Sequence, residues 1–296
     1  MKTFYFLVSM SLFVTLTTNG QAAVRVITTI PDFGVIAKEI GGPLVEMKAL
    51  VKPTQDPHFV DAKPSLMVSL NRADLLLITG MELEGGWLPP LLSGARNSKI
   101  QRGGEGYLDC STLIPPMEVQ AVDRSKGDIH PSGNPHYWID PRNGLLIAKG
   151  IARRLGELDP SHARAYADGA KRFSQTLRAA TVKWEKKLAP YKGTKVVVYH
   201  ESWVYFLDWS GFVQAGTLEP KPGIPPKPSH VADLIRKVQG QGIKLVIQES
   251  FYPTRLAKIF ASKSGAKLKV LPTMVGAQGT TSYIDVIEKL VNEFTS

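Results

Sequence analysis

The sequence predicts an α/β protein of two lobes, each with a mainly parallel sheet and flanking helices, joined by one long helix. Short runs of β-branched and aliphatic residues alternate with stretches of helical periodicity, which is typical of parallel strands connected by helices. One stretch, 162–188, keeps apolar residues at helical spacing without an internal proline, and a helix of that length spans about 40 Å. Strand and helix patterns then begin again. We therefore predict a first lobe at 24–158, a linking helix at 159–189 and a second lobe at 190–296.

Three strands are predicted in the first lobe, at 24–30, 45–51 and 74–79. The third is a continuous aliphatic run, as expected for a strand that is buried on both faces. The helix after the first strand ends at Gly41-Gly42, and Pro64-Ser65 marks the start of the next helix. The alternation of strand and helix favours parallel pairing of these strands.

The chain is irregular at 102–134, where glycine and proline are frequent, and no element is predicted there. A helix follows at 143–155. The second lobe then repeats the alternation, with predicted strands at 195–199, 212–218, 244–248 and 267–271 and predicted helices at 202–209, 229–239, 254–263 and 282–294. Between its second strand and the next helix, 219–228 has five prolines in ten residues and is predicted to be a loop.

The composition is that of a folded globular protein. Of 296 residues, 43% are hydrophobic and 21% are charged. The formal net charge of +10 is spread over the predicted helices, and no basic block is interleaved with aromatic residues. We therefore expect a solvated basic surface and no nucleic-acid partner. The single cysteine, Cys110, leaves no internal disulfide and is expected to be buried in the core.

The first 23 residues have the pattern of a secretory signal peptide. Lys2 provides the positive charge, 4–15 is mostly apolar, and small residues at 20–23 suit a cleavage site. The apolar run is too short to span a bilayer comfortably, which argues against a membrane anchor. The prediction is a signal peptide at 1–23 and a mature protein located in the periplasm.

Three histidines follow rigid or extended segments. His58 and His136 each come directly after a proline, which places them on loops, and His200 follows the predicted strand at 195–199. Side chains at the carboxyl end of such a strand face the crevice in which open α/β sheets bind ligands. A single histidine is more often structural than a ligand, but three converging imidazoles would suit zinc.

Ordered motifs surround these histidines. They are Asp56-Pro57-His58 with Lys63-Pro64-Ser65, Gly80-Met81-Glu82-Leu83-Glu84 with Trp87-Leu88, Asn134-Pro135-His136-Tyr137-Trp138-Ile139-Asp140-Pro141, His200 before Tyr205-Phe206, and Glu219-Pro220 with Pro228-Ser229-His230. With this ordered set the chain resembles the metal-specific solute-binding proteins of ABC importers, the ZnuA-like and TroA-like receptors of the bacterial solute-binding protein 9 family. The resemblance covers essentially the whole mature chain.

The resemblance implies a TroA-like periplasmic fold and a function in transport rather than catalysis. The expected protein binds one Zn²⁺ as its cargo between the lobes, through His58, His136 and His200. It then delivers the ion to an ABC permease in the inner membrane, and it acts as a monomer. A manganese- or iron-type receptor of the same family is an alternative, although manganese-type members usually have a carboxylate where this chain has His200.

The chain departs from the family pattern at the fourth ligand. Many members have a carboxylate on the loop after the last strand, where this chain has Thr273. Glu249, which ends a predicted buried strand in the same lobe, is the nearest substitute, and a water molecule is the alternative. His130 is the only histidine in the loop before the second motif, and it is either a surface residue or an aid to metal capture. Asp140 is a candidate to accept a hydrogen bond from a ligating imidazole.

Two further functions remain open from the residues alone. Three histidines with an open position also describe a zinc hydrolase, but the chain has no His-Glu-x-x-His motif, and it lacks the Gly-x-Ser-x-Gly of serine hydrolases. A surface adhesin with an incidental metal ion is the other alternative, and a lipid anchor would distinguish it.

Overall fold

The computed structural model describes residues 22–119 and 130–296. The predicted signal peptide lies almost entirely outside these ranges, as does the middle of the loop before Asn134. Within the two ranges, no helix combines the length and apolar character needed to cross a membrane.

The first lobe contains a parallel sheet of four strands in the order β2-β1-β3-β4. Its strands are β1 (Val24–Thr28), β2 (Val45–Ala49), β3 (Leu75–Ile78) and β4 (Tyr107–Asp109), and its helices are α1 (Pro31–Gly41), α2 (Pro64–Asn71), α3 (Leu88–Ala95) and α4 (Pro141–Leu158). β3 is buried at every position, as its continuous aliphatic run predicts. β4 and α3 were not predicted.

The second lobe has the same strand order, β6-β5-β7-β8, and is also parallel throughout. Its strands are β5 (Lys195–Val198), β6 (Val213–Thr217), β7 (Leu245–Glu249) and β8 (Lys267–Leu271), and its helices are α6 (Val204–Ser210), α7 (Pro228–Val238), α8 (Arg255–Ser264) and α9 (Tyr283–Phe294). The two lobes thus share one topology, and each sheet reverses its direction of winding between its first and third strands.

One long helix, α5 (Ala163–Leu188), joins the lobes. It packs against α1 and α4 of the first lobe and against α9 of the second. Toward its beginning, Gly169 allows the backbone of α1 to approach closely, because a Cβ there would lie 2.0 Å from the carbonyl oxygen of Ile40. Toward its end, the ring of Trp184 contacts Trp209 of α6.

The main apolar core extends through both lobes. It includes β-strand side chains from both sheets, the buried face of α5, and aromatic residues such as Trp203 and Phe294. A smaller core lies between the second sheet and helices α7 and α8. The predicted fold class, two parallel α/β lobes joined by one long helix, is therefore confirmed, while the residue boundaries of the lobes stay a prediction.

Candidate metal centre

The three histidines lie at the carboxyl ends of the two sheets. His58 is on the loop after β2, and His200 directly follows β5, beside the point where the second sheet reverses its winding. His136 precedes the short 3₁₀ turn Tyr137–Ile139 that leads into α4. All three side chains are buried, with residue exposures of 7%, 4% and 3% for His58, His136 and His200. The chain thus brings one imidazole from the second lobe to two from the first.

His58 and His136 are each held by hydrogen bonds to the side chain two residues earlier. The side-chain oxygen of Asp56 accepts both the backbone N–H of His58, at 3.0 Å, and a bond with its ring Nδ1, at 2.7 Å. Asn134 does the same for His136, at 3.0 and 3.1 Å. In each motif the acceptor stands two residues before the histidine, and the proline between them keeps the backbone extended. Nδ1 is therefore engaged in both rings, and Nε2 is the nitrogen left free.

The Nδ1 of His200 is also engaged, but its partner is distant in the sequence. This nitrogen lies 2.7 Å from Oε2 of Glu219, which is the second residue after β6. The same carboxylate oxygen accepts the backbone N–H of Gly223 at 3.1 Å. One oxygen therefore links the imidazole of His200 to the proline-rich loop that follows.

The three rings face one another around a common centre. Their ring centroids are 5.1 Å apart for His58 and His136, 5.2 Å for His58 and His200, and 5.1 Å for His136 and His200. One ligand nitrogen from each lies within 4.8 Å of the other two. An imidazole with its nitrogen about 2.05 Å from zinc has its ring centre about 3.2 Å from the ion, so two rings in tetrahedral coordination are centred about 5.2 Å apart. The three rings thus have the spacing of zinc ligands.

Hydrogen bonds fix the backbone of the loops around this cluster. Trp87 donates its indole N–H to the carbonyl of Pro57 at 3.0 Å, which holds the loop of His58. Trp138 donates to the carbonyl of Thr273 at 2.7 Å, and Asn134 donates to the carbonyl of Glu201 at 2.8 Å. The last two bonds connect the lobes, so the position of His136 relative to the second lobe is set by direct contacts.

The electrostatic environment differs among the imidazoles. Burial lowers the pKa of His136 well below its ordinary value, and the neighbouring His58 and His200 lower it further. Burial also acts to lower the pKa of His200, but the hydrogen bond and charge of Glu219, with Glu249 and Asp56, outweigh it and raise the pKa. Asp56 has a lowered pKa, because its bonds to His58 outweigh its burial. Anionic acceptors behind the rings therefore favour a cation at the centre.

Glu249 lies at the end of β7 and is fully buried. Its carboxylate is not part of the group of mutually close ligand atoms, which consists of the three histidines. Burial raises its pKa to about 7, although the charge of His200 and the hydroxyl of Ser202 act in the opposite direction. Neither carboxylate oxygen has a hydrogen-bond partner of normal geometry. Glu249 is thus close enough to influence His200 electrostatically, and its role as a ligand stays a prediction.

The other two residues considered for the site have structural contacts. Thr273, at the position of the family's carboxylate, is buried and offers its backbone carbonyl to Trp138. Asp140 caps the start of α4 and is bonded to Arg142, whose Nη2 lies 2.7 Å away, and not to an imidazole. The prediction that Asp140 supports a ligand is wrong, because Asp56, Asn134 and Glu219 occupy the ring Nδ1 atoms of the three histidines.

His130 lies beside the cluster although its sequence position suggested a surface loop as the simpler interpretation. Its ring centroid is 5.4 Å from that of His58 and 6.4 Å from that of His136. Both of its ring nitrogens are buried without a hydrogen-bond partner of normal geometry. Burial lowers its pKa to about 3, assisted by the charges of His58 and His200 and opposed weakly by the backbone of Met81. It is therefore a neutral imidazole next to three others.

The fold and the three imidazoles define a class of protein, namely a two-lobed binding protein for a transition-metal ion. A family model described as the periplasmic zinc-uptake complex component A, ZnuA, matches residues 26–296. The chain belongs to this family. The family description is that of a component of an uptake complex, and it gives no support to the zinc-hydrolase alternative.

Individual relatives agree with this assignment. The high-affinity zinc uptake system protein ZnuA of Brucella abortus (strain 2308) is 31% identical over 160 residues, which cover 53% of this chain and 48% of the relative. The chain thus spans about half the length of that relative. The iron-binding protein YfeA of Yersinia pestis is 26% identical over 278 residues, covering 90% of this chain and 84% of YfeA.

A solved structure described as the crystal structure of ZnuA has a TM-score of 0.77 to this chain and 25% sequence identity. The match covers 92% of this chain and 98% of the solved one. One relative is thus named for zinc uptake and another for iron binding, so the choice of metal for this chain must be argued from its own donor set.

Proposed function

We propose that the chain is a periplasmic receptor that captures Zn²⁺ between its lobes and delivers it to an ABC permease in the inner membrane. The observation that supports this most directly is the set of three imidazoles with tetrahedral spacing, each with its Nδ1 engaged and its Nε2 free. His58, His136 and His200 are the proposed ligands. The mature protein acts as a monomer after removal of a signal peptide at 1–23.

The donor set favours zinc over the metals that its relatives suggest as alternatives. Imidazole suits zinc, whereas manganese prefers carboxylate and other oxygen ligands. A carboxylate in place of one imidazole would change this preference, and Glu249 is the nearest candidate. The charge of the ion is partly balanced without it, because Asp56 and Glu219 stand directly behind two of the imidazoles.

Metal content and affinity test this proposal. The mature chain, produced without an affinity tag and stripped of metal, is titrated with zinc in competition with a chromophoric chelator, and bound metal is counted by elemental analysis. We expect one zinc per chain in the wild type and loss of tight binding in His136→Ala. His162→Ala, which removes a histidine at the start of α5, is the control and is expected to bind like the wild type.

Competition with manganese and iron(II) distinguishes the alternatives within the family. We expect zinc to displace both metals at equimolar concentration, because the group of three histidines offers neither of them a carboxylate ligand. Preferential retention of manganese would contradict the proposal, as would zinc binding that does not depend on His136. Glu249→Gln tests the predicted fourth ligand, because loss of a coordinating carboxylate would weaken zinc binding and change the geometry of the bound ion.

A further inference from the structure

His130 is a half-buried residue whose two ring nitrogens are themselves buried. Among the described residues near the three histidines, it is the only one with both ring nitrogens lacking a hydrogen-bond partner of normal geometry. A buried polar group without a hydrogen bond costs free energy, so its position calls for a ligand or a bonding partner that completes it. Among the described residues, its ring contacts those of His58 and His136.

The distance of His130 from His58, although not that from His136, is the one expected for a fourth tetrahedral ligand. Its ring is centred 5.4 Å from that of His58, which agrees with the distance of about 5.2 Å expected for two imidazoles on one zinc ion. Its distance from His136 is 6.4 Å, so it lies about 1 Å too far out on that side. For this reason its nitrogens do not belong to the group that lies within 4.8 Å. Ligation by His130 therefore requires its ring to move about 1 Å closer to His136.

The backbone that carries His130 is held in place. The carbonyl of His130 accepts the N–H of Gly133 at 3.0 Å and so closes a turn. Ser132, inside this turn, donates its hydroxyl to Glu82 at 2.5 Å and its backbone N–H to the same carboxylate at 3.3 Å. Asn134 follows, and its N–H is bonded to the carbonyl of Met117 at 2.8 Å. His130 is therefore anchored on its carboxyl side by the segment that also positions His136.

Glu82 is itself presented by an unusual turn. Gly80, Met81 and Glu82 have φ values of 76°, 48° and 61°, three successive residues in the left-handed region. Residues other than glycine rarely adopt this conformation, and it is retained where the surroundings require it. The turn directs the Glu82 carboxylate to Ser132, so the strained motif after β3 supports the turn that bears His130.

A fourth neutral ligand also fits the charges around the site. Asp56 and Glu219 are bonded to His58 and His200 at 2.7 Å each, so two carboxylates already lie just behind the ligating rings. These carboxylates balance the charge of a divalent ion through the imidazoles. The fourth position therefore has no need of a coordinating carboxylate, which agrees with the threonine found where the family carries one.

We propose that His130 is the fourth ligand of the bound ion and completes an all-imidazole site with His58, His136 and His200. The inference rests on the proposed function, because it assumes that the three histidines bind the metal. The ligand class that such a site selects is a divalent transition-metal ion with high affinity for nitrogen donors, such as zinc, and manganese is disfavoured.

X-ray absorption at the zinc edge tests the inference directly. We expect the zinc-loaded full mature chain to show four imidazole ligands and His130→Ala to show three, with an oxygen donor in the fourth place. Removal of a residue that hydrogen-bonds a metal ligand typically lowers metal affinity by about 10- to 100-fold. Removal of a ligand itself should lower it at least as much, so we expect zinc affinity to fall by about 10- to 100-fold or more in His130→Ala. His162→Ala is the control for removal of a histidine outside the site.

The outcomes separate this inference from the function on which it rests. Three imidazole ligands in the wild type would overturn the role of His130, as would a zinc affinity of His130→Ala within about twofold of the wild type. In either case, loss of zinc binding in His136→Ala would still support the receptor function. A wild-type chain that binds no zinc would overturn both. Thermal unfolding of the metal-free variants checks that His130→Ala is folded. Removal of the His130 side chain should leave the metal-free protein as stable as the His162→Ala control.

Discussion

Each proposed ligand depends on the atom that holds its Nδ1. Asp56 and Asn134 use the same geometry, with one side-chain oxygen that bonds both the backbone and the ring of the histidine two residues later. A carboxylate and an amide serve equally in this geometry, so the orientation of the ring needs an acceptor but not a negative charge. The charge of Asp56 has the separate effect of favouring a cation.

Variants of Asp56 can separate these two effects. Asp56→Ala removes both the acceptor and the charge, and we expect zinc affinity to fall by about 10- to 100-fold. Asp56→Asn keeps an acceptor oxygen, as Asn134 does naturally, and should lose less. Isothermal titration with chelator competition measures both variants. Equal losses in the two variants would show that charge alone matters, and no loss in either would remove Asp56 from the site.

The buried carboxyl of Asp32 should make the stability of the protein depend on pH even when no metal is bound. It lies in the first turn of α1 and is fully buried. Its Oδ2 accepts the N–H of Val275 from the second lobe at 3.3 Å, and its Oδ1 has no hydrogen-bond partner among the described residues. Burial raises the pKa of this carboxyl to about 7, although the bond from Val275 opposes the change. The native state therefore keeps a proton that the unfolded chain releases above about pH 4, and the contribution of Asp32 to stability falls as pH rises from about 4 to 7.

We expect Asp32→Asn to remove this part of the pH dependence. Relative to the wild type, the variant should gain up to about 4 kcal/mol in the free energy of unfolding between pH 4 and pH 8. Urea unfolding of the metal-free protein at several pH values measures the difference. Asp61→Asn, which changes an exposed carboxylate beside Lys63, is the control. Parallel pH profiles for the wild type and Asp32→Asn would mean that Asp32 ionises normally.

At the level of secondary structure, long periodic patterns were predicted well and short segments were not. α5 was predicted to within a residue because it repeats one apolar face over many turns. β4 has only three residues and follows Gly103, Gly104 and Gly106, so its pattern is too short to be recognised and its place is set by pairing with β3. Propensity over three residues decides little against such tertiary contacts.

The same distinction applies to the site. The three histidines were predicted because proline or a buried strand precedes each one. Asp56 and Asn134 were missed as acceptors, although their common spacing of two residues before a histidine is a usable signal. Glu219 is 19 residues from His200, and no local pattern indicates that contact. The closeness of His130 to the cluster depends on the turn held by Glu82, 50 residues from Ser132.

Gly169 gives a test of the packing of α5 on α1. A Cβ at this position would lie 2.0 Å from a backbone oxygen, which cannot rotate away. We expect Gly169→Ala to lose roughly 1–3 kcal/mol of stability through overpacking, even though alanine favours a helix by about 1 kcal/mol. Gly94→Ala in α3 is the control, because its Cβ would meet the flexible side chain of Met67. Chemical denaturation compares them, and a stabilised Gly169→Ala variant would contradict the close contact.

At the scale of the whole molecule, the continuous core restricts how the lobes can move. α5 packs on helices of both lobes, and buried residues of both sheets belong to one cluster. Wide opening of the cleft would expose this core at a cost of about 25 cal/mol for each Å² of apolar surface. Local rearrangement of the loops that carry His58 and Glu219 costs far less, because these loops lie outside the core.

We therefore expect zinc to change hydrogen exchange mainly in the loops at 52–63 and 219–227. α5 and the strands of both sheets should exchange at nearly the same rates with and without zinc. Exchange followed by mass spectrometry on the apo and zinc-loaded protein measures this, with His136→Ala plus zinc as the control for effects unrelated to binding. Broad deprotection of α5 in the apo protein would indicate hinge opening of the entire cleft.

The division of the imidazoles between the lobes has a consequence for how the protein matures. A chain that has folded only its first lobe has His58, His130 and His136, but it lacks His200 and the contacts from Glu201 and Thr273 that set the position of His136. Under the proposed function, tight zinc binding therefore requires that both lobes have folded and that α5 has packed against each of them. Retention of zinc then reports that the chain has folded completely.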